Sequence, residues 1–154
     1  VHALTRQSIS DATGVTWHSH DLLHGDTPAD LLASIRPTHL LHLAWCTQPG
    51  SFGSSPENLL WLERTIQLFR AFRETGGKRI VATGSCFEYQ WSEEDCHERE
   101  TATHPSTIYG LAKLSAANYL EALGRVGLST AWARLFFLYG PGASEQRMPG
   151  VVIS

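Results

Sequence analysis

The sequence predicts an α/β fold built on a parallel sheet. Its apolar runs His39–Ala44, Arg79–Thr83 and Thr130–Phe137 have the length and composition of buried strands. The segments between them carry helical periodicity and helix stop signals. Strands spaced by helices imply parallel pairing through right-handed crossovers.

The elements follow in order. Val1–Thr5 reads as a first strand. Pro28–Ile35 reads as a short helix, with Thr27 as its N-cap and Pro28 in the first turn, where a missing N–H costs nothing. His39–Ala44 is the second strand, and a Gly/Ser/Pro loop runs from Gln48 to Ser55. Pro56–Thr75 reads as a long helix whose apolar face is Leu59, Leu62, Ile66 and Phe69, stopped by Gly76-Gly77. Arg79–Thr83 is the third strand. Glu88–Thr103, polar, acidic and aromatic, reads as a surface excursion. A second long helix is expected from Thr103 or His104 to Arg125, with Pro105 in its first turn. Thr130–Phe137 is the fourth strand, and Tyr139-Gly140-Pro141-Gly142 turns the chain into a loop.

Composition narrows the class of protein. With 154 residues, 42% hydrophobic and 18% charged, the chain suits one modest globular domain rather than disorder. A net charge of −3 without a basic block argues against nucleic acid or an anionic membrane surface as partner. No apolar run approaches membrane-spanning length. Cys46, Cys86 and Cys96 lack C-x-x-C spacing, which suits reduced thiols in a cytoplasmic enzyme. Val1 already reads as strand, with no signal peptide before it, and Gly150–Ser154 begins an apolar run that stops. Both ends are therefore read as cuts in a longer protein.

The candidate chemistry lies at Ser85, Tyr109 and Lys113. Ser85 ends the third strand, at the sheet edge where ligands of parallel sheets bind. Tyr109 and Lys113 are four apart on the second long helix and share one face. A lysine one turn from a tyrosine can favour its phenolate. Such a pair beside a serine donor moves a proton at a carbinol or carbonyl, the acid–base half of hydride transfer.

A set of motifs in order resembles the extended short-chain dehydrogenase/reductases, the NAD-dependent epimerase/dehydratase group. His42-Leu43-Ala44 resembles the family's strand that passes under the nicotinamide ribose. Thr83-Gly84-Ser85-Cys86-Phe87-Glu88-Tyr89 resembles its Ser-containing strand end. Tyr109-Gly110-Leu111-Ala112-Lys113 matches its Tyr-x-x-x-Lys. Arg134 to Gly142 resembles its late strand and Tyr-Gly-Pro-Gly turn, and Asp21-Leu22, after a variable strand, resembles its adenine contact.

The resemblance implies a Rossmann-like doubly wound parallel sheet that lacks the first strand and the Gly-rich phosphate turn, leaving a gap in the sheet. Residues 1–154 would be part of an NAD(P)-binding domain, without the carboxy-terminal substrate domain. This stretch alone is expected to bind a dinucleotide poorly. Tyr109 would be the acid/base at a sugar oxygen. Lys113 would hold the nicotinamide ribose and depress the Tyr109 pKa, and Ser85 would hydrogen-bond the reacting oxygen. Arg6, Asp21, Leu22, Leu43 and Ala44 would also line the NAD or NADP site. The first strand ends Leu4-Thr5-Arg6 with no acid, which leans toward NADP.

Departures from the family pattern refine this expectation. Cys86 and Phe87 stand where the sugar 4,6-dehydratases carry Asp-Glu, so dehydration is disfavoured. Phe137 replaces an Asn on the late strand, and Trp61 an Asn on the helix, with Asn58 one turn earlier. What remains is 4-keto-reduction or 4-epimerisation of a nucleotide-linked sugar. The alternative is a non-catalytic NAD(P)-binding sensor or scaffold. The resemblance also implies a homodimer through the two long helices.

Other candidates read as ordinary structure. His18-x-His20 with His24 has no Cys or acidic partner at fixed spacing and reads as polar surface, not a metal site. Trp45, Phe52, Trp61 and Trp91 read as packing residues before cleft residues. Cys86 reads as buried or cleft-lining, Cys96 as solvated, and Arg134 as structural.

Overall fold

A computed structural model describes residues 1–6, 14–46, 50–91 and 95–138. Strands β1 (His2–Thr5) and β2 (Thr16–Ser19) form a two-stranded parallel sheet. Helix α1 (Ala29–Ile35) follows, then β3 (His39–His42), helix α2 (Glu57–Glu74), β4 (Arg79–Ser85), helix α3 (Ile108–Arg125) and β5 (Ser129–Leu135). Strands β3, β4 and β5 form a second parallel sheet with β4 in the middle. No ladder joins β1 to β3 among the described residues, so the sheet is in two parts.

Period-two alternation decides which face is covered. Ile80 and Ala82 of β4 have no exposed surface and meet Leu68, Phe69 and Phe72 of α2 and Leu120 and Leu123 of α3. Both long helices therefore pack on one face of the second sheet. His42, paired with Ala82, points the same way and is buried. Leu41, paired with Val81, lies on the other face and is exposed. Fully burying a phenylalanine side chain is worth about 1.5–3 kcal/mol, so Phe69 and Phe72 anchor this layer.

Several element ends differ from the sequence expectation. Thr27 does not cap α1; Pro28 holds the cap position without a side-chain bond, and the Thr27 hydroxyl donates to Gln67 instead. Helix α3 begins at Ile108, not near His104. Thr107 is extended, and its hydroxyl accepts the Gly110 N–H at 3.0 Å, which fixes the start. Strand β3 stops at His42, so Leu43 and Ala44 lie just beyond it. Strand β4 runs on to Ser85, whose partner Leu135 ends β5; Phe136 and Phe137 have no strand opposite them.

The buried face of α2 is Asn58, Trp61, Thr65, Leu68, Phe69 and Phe72, whereas Leu59 is exposed. Asn58 and Thr65 are hydrogen-bonded there, to Trp45 and His42, and those polar residues disguised the stripe. Its stop is as expected, with the Gly77 N–H bonding back to the Phe72 carbonyl. The surface excursion is corrected at its start. Cys86–Glu88 is a 3-10 turn, and Glu88 and Tyr89 are buried. Tyr139–Gly142 and Gly150–Ser154 lie outside the described residues.

Candidate active site

Ser85 sits where β4 breaks into the 3-10 turn. Its hydroxyl accepts the Phe87 N–H at 3.3 Å, and Glu88 reaches back to accept the Ser85 N–H at 2.8 Å. This reciprocal capping box fixes the serine at the carboxyl end of the central strand.

Tyr109 reaches the same place from the first turn of α3. A Cβ at Gly110 would collide with the Phe87 carbonyl oxygen, so only glycine lets the helix come this close to the turn after Ser85. The Tyr109 N–H donates to the Gly53 carbonyl at 3.2 Å. Its ring meets Phe52 and Phe87 edge-on, at centroid distances of 5.0 and 5.9 Å. Burial lifts the phenol above its ordinary pKa, and a hydrogen bond with the Ser85 side chain pulls the other way. The direction expected for the phenol is thus reversed here, because lost hydration outweighs the stabilising contact.

Lys113, one turn further along α3, is only 3% exposed. Its ammonium donates to the Thr83 carbonyl at 2.8 Å and lies 4.0 Å from the centre of the Trp45 ring. Burial lowers its pKa to about 7, and the charge of Glu88 opposes that shift. The structure brings Ser85, Tyr109 and Lys113 together from β4 and α3.

Sequence reasoning missed Glu88. It is fully buried, and besides Ser85 it accepts from Trp132 at 3.1 Å and Arg134 at 2.7 Å. A Cβ at Gly84 would strike both the Trp132 indole nitrogen and this carboxylate. Sequence carried a signal for this cluster. A Glu immediately after an apolar strand end, with an Arg at the end of a later apolar strand, is a candidate buried pair. Arg134 is structural, as expected. Phe52 and Trp45 are packing residues, and what they pack against is the candidate Tyr109 and Lys113. Trp45 and Trp61 stack at 6.1 Å, and Trp91 is exposed. Cys86 is buried, and Cys96 is partly buried rather than fully solvated.

The remaining cofactor candidates fall in two places. Arg6 and Asp21 lie past the carboxyl ends of β1 and β2, where Arg6 and His24 favour the Asp21 carboxylate. The larger effects on Asp21 are the His24 and Leu23 N–H groups, which its Oδ1 accepts and which lower its pKa. Leu22 packs beneath, against both apolar clusters. Leu43 and Ala44 follow β3, Leu43 exposed and Ala44 in the cluster that holds Trp45 and Tyr109. His18 stacks on His2 with nitrogens 2.9 Å apart, and His20 bonds the Asp26 carbonyl. The carboxyl edge thus brings a phenol, a hydroxyl and a buried ammonium into one neighbourhood, groups of the chemical type a nicotinamide ribose and a reacting oxygen would need.

A family model, the NAD dependent epimerase/dehydratase family, matches residues 1–154. The chain belongs to this family. The solved structures it resembles include UDP-glucose 4-epimerase of Thermus thermophilus in complex with NAD. That match has 22% identity and a TM-score of 0.77, covering 95% of this chain and 51% of that one. MoeE5 in complex with UDP-glucose and NAD matches at 27% identity and TM-score 0.72, over 93% of this chain and 48% of that one. RMD from Pseudomonas aeruginosa, complexed with NADPH, matches at 26% and 0.66, over 88% of this chain and 50% of that one. The chain thus spans about half the length of the solved structures it matches. No curated protein matches its sequence. The Rossmann-like parallel α/β arrangement expected from the motifs is the fold this chain shares with these neighbours. No helix among the described residues is long and apolar enough to cross a membrane.

Proposed function

We propose that the chain is the NAD(P)-binding part of an enzyme that reduces or epimerises a nucleotide-linked sugar at carbon 4. One observation carries this reading. Tyr109 from α3 is placed near enough to Ser85 of β4, at the carboxyl edge of the parallel sheet, for the serine side chain to favour its ionised form, with Lys113 one turn along the same helix. The bound nicotinamide would supply or accept the hydride. Tyr109 would give the proton to, or take it from, the sugar oxygen. Ser85 would hydrogen-bond that oxygen as charge develops. Lys113 would hold the nicotinamide ribose, with Leu43 and Ala44 lining the ribose side and Asp21 and Leu22 the adenine side. A phenol raised by burial is protonated at neutral pH, which suits the acid of a keto-reduction.

Cys86 and Phe87 stand where the sugar 4,6-dehydratases carry the Asp-Glu pair that serves as acid and base, and here Phe87 packs on Tyr109. That supports reduction or epimerisation over dehydration. The absence of an acid at Leu4-Thr5-Arg6 supports NADP. MoeE5 is described with UDP-glucose and UDP-glucuronic acid, which supports a nucleotide-sugar substrate. Helices α2 and α3 pack side by side with Leu59 and Leu111 exposed, which supports a homodimer through this pair. The unpaired Cys46, Cys86 and Cys96 support a cytoplasmic setting.

The test uses the complete protein with NADH or NADPH and a panel of nucleotide 4-keto-sugars, followed by absorbance of the reduced cofactor. Oxidation with one substrate establishes a reductase and its cofactor. Isomerised sugar without net oxidation establishes an epimerase. Bound cofactor with neither outcome overturns the enzyme reading in favour of a sensor.

A further inference from the structure

We propose that Trp45 is a positioning residue whose indole face seats the Lys113 ammonium at the end of β4. Trp45 follows β3, and its ring lies under the lysine nitrogen at 4.0 Å, within cation–π range. The same nitrogen donates to the Thr83 carbonyl at 2.8 Å. A second indole, Trp132, stands 5.9 Å from it. A lysine chain has many rotamers, so two directional contacts in a buried space select one of them.

The seat is itself held in place. Trp45 is 8% exposed, and its indole N–H donates to Asn58 Oδ1 at 2.9 Å. The Asn58 amide nitrogen in turn donates to the Phe52 and Ser55 carbonyls, at 2.6 and 2.9 Å. Trp61 backs the ring at 6.1 Å with an interplanar angle of 24°. Trp132 is tied to Glu88. The indole plane therefore cannot turn away without breaking buried hydrogen bonds. The titratable groups that face the ammonium are Glu88 from the turn after β4 and His42 from β3. Glu88 favours its charge and His42 carries none at neutral pH, so neither displaces it from the ring.

The inference rests on packing and stands apart from the hydride-transfer reading. Lysine labelled at Cε in the complete protein gives NMR signals in which Lys113 is assigned by its loss in Lys113→Arg, and Lys78, exposed and assigned in the same way, is the internal reference. The Lys113 ε-methylene protons are expected well upfield of those of Lys78, because they lie over an aromatic face. Trp45→Leu is expected to abolish that displacement, and Trp45→Phe to retain most of it. The two lysines at the same position in the unaltered chain would overturn the proposal, whatever the variants do. So would an unchanged upfield shift in a folded Trp45→Leu chain, since the Thr83 carbonyl would then suffice.

Discussion

The carboxylate of Glu88, which has no exposed surface, accepts the backbone N–H of Ser85 at 2.8 Å. Its other oxygen accepts from Arg134 Nε at 2.7 Å. One buried side chain thus joins the candidate serine at the end of β4 to the end of β5.

Removing that carboxylate should cost more than a typical core change. Glu88→Ala strands the Ser85 N–H and leaves Arg134, with a quarter of its side chain exposed, without its counter-ion. Breaking such a pair costs about 3–5 kcal/mol. Glu88→Gln keeps one acceptor and should lose less. Urea unfolding of both variants measures this, and a loss under about 1 kcal/mol for Glu88→Ala would show that the pair behaves as a surface ion pair.

Gly110→Ala sets two effects against each other. Alanine gains about 1 kcal/mol in helix propensity. Its Cβ would collide with the Phe87 carbonyl oxygen, a backbone atom with little room to yield. Overpacking costs about 1–3 kcal/mol, so the net effect should be destabilising and should push Tyr109 away from Ser85. A melting temperature equal to or above that of the unaltered protein contradicts this.

Tyr109→Phe keeps the ring that Phe52 and Phe87 clamp and removes only the hydroxyl. Turnover of the complete protein should fall by about 10²–10⁴-fold with cofactor affinity retained. Steady-state rates alongside a cofactor fluorescence titration separate the two. Unchanged turnover refutes the acid/base assignment.

Acid should weaken the fold through His42. Burial lowers its pKa from 6.5 to about 3, and the charge on Lys113 adds to that. Between those values the unfolded chain takes up a proton that the folded chain refuses, so stability falls as pH drops from about 6.5 to 3. Lys113 acts in a higher window. With its pKa lowered from 10.5 to about 7, stability should rise as pH increases from about 7 to 10.5. Urea midpoints across both windows check the slopes. His42→Leu should flatten the acidic one and Lys113→Met the alkaline one.

The sequence by itself marked the three helices and four of the five described strands, leaving β2 (Thr16–Ser19) unmarked, and it singled out Ser85, Tyr109 and Lys113 as candidates. Apolar runs such as Arg79–Thr83 can be satisfied only inside a sheet, and Tyr109 and Lys113 share a helix face by spacing alone. Tertiary structure decided how each group is held. The buried side of α2 was illegible because Asn58 and Thr65 are satisfied by partners far along the chain, Trp45 and His42. Glu88 looked like surface because its partners, Trp132 and Arg134, come from another strand. The phenol and the ammonium took their pKa directions from burial, which depends on everything packed around them and on no single spacing.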